Sequence, residues 1–189
     1  IGAPNPPVDI VLAPGATGPA GALAGVNTKE LQGELQKAED LMNQQQYDAA
    51  IAAYQEVLTK TPALTMIHLQ IGRAYRMKKD YDSALGAYKK ILETDPANER
   101  AKIEIGMPNL EKGDFAAAET ALSEAAQGTG ASREVFYNLG EVKFAKGETD
   151  EAMKWYQRAV DTDPNWAKPL VKLGLGHLQK AETKNAIAM

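Results

Sequence analysis

The 189-residue sequence contains no cysteine and only two histidines, His68 and His177. Without cysteine the chain cannot form a disulfide framework, a thiolate metal site or a cysteine nucleophile, and two histidines are too few for most zinc sites. Basic residues are not in excess, since 21 Lys and Arg stand against 25 Asp and Glu. The chain therefore lacks the basic surface that nucleic-acid phosphates require, and we expect no nucleic-acid partner.

Long apolar runs and catalytic motifs are also missing. No stretch of 18 or more apolar residues occurs, so the sequence predicts no membrane span. The phosphate-binding, dinucleotide-binding and zinc-protease motifs are absent. The three serines, Ser83, Ser123 and Ser132, have no histidine that the fold would bring near them. These absences predict a protein that is not an enzyme and has no metal or cofactor.

The sequence begins with Ile1 rather than methionine. We interpret this as the mature end left by removal of a signal peptide, which predicts an exported protein: extracellular, on the cell surface or periplasmic. The alternative is an arbitrary boundary within a longer chain.

Residues 1–27 differ in composition from the rest of the chain. They contain five prolines, five glycines and six alanines, with Asp9 as the only charge, which predicts an extended tail without a helical period. One short apolar run lies between prolines and predicts an extended strand that can contact a protein surface through Val8, Ile10, Val11 and Leu12.

From about Thr28 the hydrophobic period becomes that of an α-helix, and a longer period of 34 residues appears above it. Small residues recur at this spacing at Ala38, Gly72, Gly106, Gly140 and Gly174. Alanines recur in the same way at Ala50, Ala84, Ala118, Ala152 and Ala186. Such agreement over four periods indicates an array of structural repeats.

Each repeat reads as two amphipathic helices joined by a turn, for example at Gly113-Asp114. A glycine inside the first helix costs roughly 1 kcal/mol relative to alanine. We therefore expect the second helix to approach closely at Gly72, Gly106 and Gly140. Prolines 62, 96 and 164 are expected to end the second helices.

Two repeats carry the most complete pattern. Residues 65–96 contain Ile71-Gly72, Tyr75, Ala84, Tyr88 and Pro96, and residues 133–164 contain Leu139-Gly140, Ala152, Tyr156, Ala159 and Pro164. This pattern resembles the tetratricopeptide repeat (TPR) family. The resemblance implies an all-α, right-handed TPR superhelix, or α-solenoid, whose first helices line a groove for protein partners. It implies no catalysis.

The resemblance sets the expected domain organisation. An extended tail covers residues 1–27 and a TPR solenoid covers residues 28–189, with four repeats at about 31–64, 65–98, 99–132 and 133–166 and a partial fifth at 167–189. In the fifth, Leu170, Leu173, Gly174 and His177 predict a first helix and Ala186 the start of a second. Apolar surface would then stay uncovered on the last complete helix.

Pro108 departs from the pattern because it falls inside a first helix. It lacks an amide hydrogen and clashes with the preceding turn, which predicts a kink near Glu104 to Pro108. The kink would either widen the groove or be a tolerated irregularity.

The helical phase of the family places a set of mostly apolar residues on the groove. A carboxylate clamp of the kind found in chaperone-binding members is not expected, because Ile103 and Met107 replace its leading lysine and asparagine. The groove instead suits an apolar peptide or helix, although some of its residues could simply complete the core. The candidate partner-binding residues are Met66, Leu69, Arg73, Ile103, Met107, Tyr137, Asn138, Phe144, Lys168, Val171, Lys172 and Leu175.

Two functions remain open from the sequence. In the first, copies of the chain associate head to tail, possibly into a filament, with the tail of one copy packing on its neighbour. In the second, the chain is an exported adaptor whose groove binds a peptide or helix of a different protein. The tail could also fold back on its own groove.

Overall fold

The computed structural model describes residues 28–128 and 130–187, the last six of them by backbone only. Within these ranges the chain forms nine α-helices and no strand, which confirms the all-α prediction. The predicted tail, with Val8, Ile10, Val11 and Leu12, lies outside the described residues. In chain order the helices are α1 Thr28–Asn43, α2 Tyr47–Lys60, α3 Ile67–Met77, α4 Tyr81–Thr94, α5 Glu99–Lys112, α6 Phe115–Ala126, α7 Arg133–Ala145, α8 Thr149–Thr162 and α9 Ala167–Ile187.

The chain divides into two compact units, with α1–α4 in the first and α5–α9 in the second. Within each unit, helices that follow one another in the sequence pack together. The first unit has an apolar core that includes Leu31, Ile51, Val57, Ile67 and Ile71. The second unit has a core built around Leu122, Val135, Leu139 and Val142.

The glycines of the first helices lie where a second helix comes closest. A Cβ atom at Gly72 would lie 2.3 Å from Tyr88 Cε1, and one at Gly140 would lie 2.4 Å from Tyr156 Cε1. At Gly106 the nearest atom would be Leu122 Cγ, at 2.6 Å. The predicted close approach is therefore confirmed at all three glycines, and in each case the contacting side chain comes from 16 residues further along the chain.

The turns between the paired helices repeat one backbone conformation. Residues 45, 79, 113 and 147 all have positive φ, at 61°, 62°, 82° and 79°. The last two are glycines, which adopt this conformation without strain, whereas Gln45 and Lys79 adopt it at a steric cost. The 34-residue period thus extends to the backbone of the turns.

Helix ends follow the sequence signals. α2, α4 and α8 end two residues before Pro62, Pro96 and Pro164, as predicted. The carboxylate of Asp114 accepts a hydrogen bond from the Ala117 amide, and Asp80 accepts one from the Ser83 amide in the equivalent turn. These side chains satisfy amide groups that a helix start otherwise leaves without a partner.

Helix α5 runs through Pro108 without interruption. Pro108 is buried, and the neighbouring Asn109 side chain donates a hydrogen bond to the carbonyl of Ile105 at 3.0 Å. Asn109 thus supplies a side-chain donor in the turn where proline removes a backbone donor. The kink itself stays a prediction.

The fifth repeat differs from the expectation. Ala186 does not begin a second helix, because α9 is continuous from Ala167 to Ile187. The physical reason is Ala181, which lies 34 residues after residue 147 and so corresponds to the four turn residues with positive φ. Alanine is the strongest helix former and disfavours that left-handed conformation. The helix therefore continues through the position where the other repeats turn.

Candidate partner-binding surfaces

In the first unit the candidate groove residues lie on α3 and at its start. Met66 is 42% exposed, and Met77, which the helical phase of the family also places on the groove, is 56% exposed. Their separation of 11 residues places them on one face of the helix, with the half-buried Arg73 between them. Leu69 is only 3% exposed. Leu69 therefore fills the interior of the unit and offers almost no surface to a partner.

The first unit also contains a buried phenol on the neighbouring helix α2. Tyr54 is 1% exposed. Burial, followed by the charge of Glu39 and opposed by the charge of Arg73, raises the pKa of Tyr54 to about 12. The charges of Glu39 and Arg73 thus act on the ionisation of Tyr54, so Arg73 acts within the unit as well as on its surface.

In the second unit α5 supplies Ile103 and Met107, and both are half-buried. Ile103 packs against the core cluster that contains Leu122 and Leu139. It therefore serves the core of the unit at least as much as an open groove.

Helix α7 carries an aromatic cluster. The Tyr137 ring lies 5.7 Å from the Tyr156 ring and 5.1 Å from the Trp166 ring, both tilted. The Arg133 guanidinium lies 4.8 Å from the centre of the Trp166 ring and forms an ion pair with Asp163. Burial, followed by the nearby Glu141 carboxylate, raises the pKa of Tyr137 to about 12. These contacts fix Tyr137 and Trp166 as a preformed aromatic surface.

A carboxylate at the centre of this unit ties α7, α8 and α9 together. The Tyr156 hydroxyl donates a hydrogen bond to Glu141 Oε1 at 2.5 Å, and Lys172 Nζ donates one to Glu141 Oε2 at 2.9 Å. The Lys172 ammonium also lies 5.7 Å from the centre of the Phe144 ring. Burial, followed by the hydrogen bond to Glu141, raises the pKa of the Tyr156 phenol far above its usual range. Lys172 therefore holds α9 against α7.

This geometry bears on the carboxylate clamp. Asn138 is half-buried on α7, and Lys168 is exposed at the start of α9. A peptide carboxylate would have to compete with Glu141 for Lys172, because that ion pair already satisfies both charges. The arrangement thus agrees with the expectation that the groove does not clamp a terminal carboxylate.

Helix α9 exposes the most apolar surface of the described residues. Val171 is 69% exposed and Leu175 is 47% exposed, and both were groove candidates. Leu170 and Leu178, at 46% and 56%, complete the surface and were not predicted as binding residues. A helical projection carried past His177 would have found them, because they share one side of a helix that does not turn at residue 181. We call Leu170, Val171, Gly174, Leu175 and Leu178 the α9 stripe.

The opposite side of α9 packs on its own unit. Pro169 is buried, Leu173 is half-buried, and a Cβ atom at Gly176 would lie 2.9 Å from Met153 Cγ. Lys180 forms an ion pair with Asp150 at 2.6 Å. The helix is therefore held along its length, and the exposure of the α9 stripe is not the result of a detached helix.

Other kinds of site are not formed by the described residues. No group of histidine and carboxylate side chains among them is arranged to hold a metal ion. In the same part of the chain, none of the helices combines the length and the apolar character needed to cross a membrane. The tail contact residues Val8, Ile10, Val11 and Leu12 lie outside the described ranges.

Comparison with known proteins supports the helical solenoid. The family model described as tetratricopeptide repeat matches residues 35–99 and 109–165. No curated protein sequence matches the chain.

Solved structures share the fold at low sequence identity. MamA from Desulfovibrio magneticus RS-1 is 20% identical, with a TM-score of 0.66 over 84% of this chain and 89% of its own. TTC0263, a thermophilic TPR protein of Thermus thermophilus, is 18% identical, with a TM-score of 0.71 over 80% and 84%. The first TPR of Spaghetti (RPAP3), bound to the HSP90 peptide SRMEEVD, is 23% identical, with a TM-score of 0.57 over 62% and 93%.

Proposed function

The chain belongs to the tetratricopeptide repeat family, and from that premise we propose that it is a non-catalytic scaffold protein that associates with copies of itself. The TPR fold serves protein–protein interaction, and proteins of this family are generally not catalysts. The absence of a catalytic motif in the sequence supports the same view. Self-association is the more specific part of the proposal.

The α9 stripe is the observation that carries the proposal. It places four large apolar side chains, each between 46% and 69% exposed, on one side of a single helix. Single exposed apolar side chains are ordinary, but a contiguous patch marks a surface that another protein covers. Each side chain that becomes fully buried contributes on the order of 1 kcal/mol, since full burial of such a side chain is worth about 1.5–3 kcal/mol.

In the head-to-tail arrangement predicted from the sequence, a neighbouring copy of the chain covers the α9 stripe. This arrangement brings α9 of one copy to α1 of the next and places the tail of one copy on its neighbour. Such a contact is heterologous and extends into a filament unless its rotation closes a ring. The exposed residues of α1 are polar or charged apart from one glycine, so the apolar side chains would have to come from the tail, at Val8, Ile10, Val11 and Leu12. The exposed residues of α1 are Thr28, Lys29, Glu30, Gln32, Gly33, Gln36, Lys37, Asp40 and Asn43.

Two substitutions with equal starting exposure test self-association. Leu178 on α9 and Met77 on α3 are both 56% exposed, so Leu178→Glu and Met77→Glu introduce the same charge at equally accessible positions. Mass would be measured by light scattering and by analytical ultracentrifugation over a range of concentrations. We expect the wild type to gain mass with concentration, Leu178→Glu to remain a monomer and Met77→Glu to behave as the wild type. A wild type that stays monomeric at every concentration would refute the proposal.

The adaptor function is the second candidate, supported by the exposed face of Met66, Arg73 and Met77. Methionine side chains adapt to varied apolar partners. The structurally similar Spaghetti (RPAP3) domain holds the peptide SRMEEVD, which contains a methionine and three acidic residues. An adaptor predicts a monodisperse monomer that retains a distinct protein in a pull-down and loses it in Met77→Glu.

Export is also part of the proposal. Cell fractionation with an antibody against the chain would test it, and a purely cytoplasmic signal would overturn it.

A further inference from the structure

The α9 stripe has an internal order that points to its occupant. Small residues recur every seven positions at Ala167, Gly174 and Ala181, and large apolar residues recur at the same spacing at Val171 and Leu178. All five face outward, since Ala167 and Ala181 are also exposed. A seven-residue alternation of this kind is the pattern of two helices that pack along their length.

Gly174 lies at the centre of the α9 stripe, and the space left by its missing side chain is a notch in that surface. At Gly72, Gly106 and Gly140 the equivalent space is filled by Tyr88, Leu122 and Tyr156. At Gly174, no atom of the described part of the chain would lie within 4 Å of a Cβ. Among the described residues, the position that receives a packed side chain at the other three glycines has no neighbour at Gly174.

Part of the order of the stripe is the same in both directions, although Val171 has His177 and Leu175 has the half-buried Leu173 as its counterpart about Gly174. Ala167 and Ala181 lie seven residues before and after Gly174, and Leu170 and Leu178 lie four residues before and after it. An antiparallel helix with the same sequence would therefore set Leu170 against Leu178 and each terminal alanine against the other. We propose that α9 packs antiparallel on α9 of a second copy, with the twofold axis at Gly174. This inference rests on the proposed self-association and names the surface that each copy uses.

Two of the lysines of α9 do not oppose this pairing. Lys172 is neutralised by Glu141 at 2.9 Å, and Lys180 is neutralised by Asp150 at 2.6 Å, both within one copy. Both lysines flank the side of α9 that packs on its own unit. Bringing two stripes together therefore does not desolvate an uncompensated pair of like charges at these positions.

Size and chemistry favour a second α9 over α1. A stripe of this length is a patch of a few hundred Å² per copy, so the symmetric interface falls at the small end of specific interfaces, below about 1,200 Å² in total. Such an interface predicts a dimer that forms and dissociates with concentration. The exposed residues of α1 include no large apolar side chain that could fill the notch at Gly174, whereas an antiparallel α9 brings leucines to both sides of it.

The absence of cysteine from the native chain allows a direct test. In the proposed dimer residue 174 faces its own counterpart, at a separation that a disulfide can bridge when the helices pack closely. Gly174→Cys would be compared with Gly86→Cys and Gly33→Cys, since these three helical glycines have no neighbour within 4 Å among the described residues. Disulfide formation in a glutathione buffer would be followed on non-reducing gels, with circular dichroism to verify folding. We expect Gly174→Cys to form covalent dimers at least tenfold faster than either control.

A second pair of variants tests the direction of packing. Ala167→Cys and Ala181→Cys lie just beyond opposite ends of the α9 stripe. The antiparallel arrangement predicts that a mixture of the two forms mixed dimers much faster than either variant alone forms its own. Faster homodimers than mixed dimers would overturn the antiparallel arrangement even if Gly174→Cys failed to fold.

The remaining outcomes separate this inference from the proposed function. Faster cross-linking of Gly174→Cys with Gly33→Cys than with itself would refute the α9 pair and support the head-to-tail arrangement. Loss of Gly174→Cys cross-linking on deletion of residues 1–14 would refute it in favour of the tail as the cover. Cross-linking at the rate of the controls, in a protein whose mass still rises with concentration, would leave self-association standing and remove α9 as its surface. A wild type that is monomeric throughout would refute both.

Discussion

The contact between Gly72 and Tyr88 provides a quantitative test of how the repeats are built. A methyl group at residue 72 would lie within 2.3 to 2.7 Å of three carbons of the Tyr88 ring, and that ring is fully buried. Gly86 lies in the interior of α4 in the same unit, exposed and with no neighbour within 4 Å among the described residues. Gly72→Ala and Gly86→Ala thus make one chemical change in two packing environments.

The expected free energies have opposite signs. Alanine gains up to about 1 kcal/mol over glycine inside a helix, so Gly86→Ala should stabilise the unit by about 0.5–1 kcal/mol. The same gain at residue 72 is outweighed by overpacking, which costs about 1–3 kcal/mol and falls near the upper end because the Tyr88 ring has no room to move. Gly72→Ala should therefore destabilise by about 1–2 kcal/mol, and the two variants should differ by about 1.5–3 kcal/mol.

Urea unfolding followed by circular dichroism measures this difference directly. Both variants should keep the slope of the wild type, because the surface exposed on unfolding is almost unchanged. The two midpoints should move in opposite directions. If Gly72→Ala were as stable as Gly86→Ala, the close approach would not explain the glycine, and the account of the repeat interior would be wrong.

Three further predictions concern turns, charges and buried phenols. Residues 79 and 147 both have positive φ, which glycine adopts without strain. Lys79→Gly should therefore stabilise the chain by about 1 kcal/mol, and Gly147→Ala should destabilise it by a similar amount. Thermal unfolding measures both changes. Hydrogen bonds from Lys143 and Lys146 lower the pKa of Glu119. The contribution of Glu119 to stability is therefore present at neutral pH and lost on acidification below about pH 4. In urea titrations, the difference in unfolding free energy between the wild type and Glu119→Gln should shrink from about pH 7 to about pH 3. Burial and then Glu39 raise the pKa of Tyr54 to about 12. The stability that the buried Tyr54 phenol contributes is therefore present below about pH 10 and lost as the pH rises towards about 12. The wild type should lose more stability than Tyr54→Phe over that pH range.

The repeat architecture could be read from the sequence because its spacing is strict. The glycine series at residues 72, 106 and 140 and the prolines at 62, 96 and 164 have local physical causes, namely close packing and helix termination. Each of these causes acts at the same position whose residue type, glycine or proline, reveals it in the sequence. The structure accordingly has the contacts and helix ends that were expected at these positions.

The candidate surfaces were harder to predict, because exposure depends on neighbours that are distant in sequence. Leu69 occupies a groove position in the helical phase of the family, but it is buried. Lys172 read as a cation available to a partner, yet Glu141, 31 residues earlier, binds it. The sequence predicts only Val171 and Leu175 of the α9 stripe as binding residues, because Ala186 predicts the start of another helix. The clue was Ala181 at a turn position, a residue whose effect is visible only once the positive φ of residues 45, 79, 113 and 147 is known.

That alanine also has a consequence for how the gene can change. The other repeats fold back because one backbone position between their helices accepts a left-handed conformation. Replacing Ala181 with glycine would lower the barrier to folding back by roughly 1–2 kcal/mol. A single codon thus helps decide whether the chain turns back at residue 181 or continues as one helix, so that a change there would also alter the surface available to a partner.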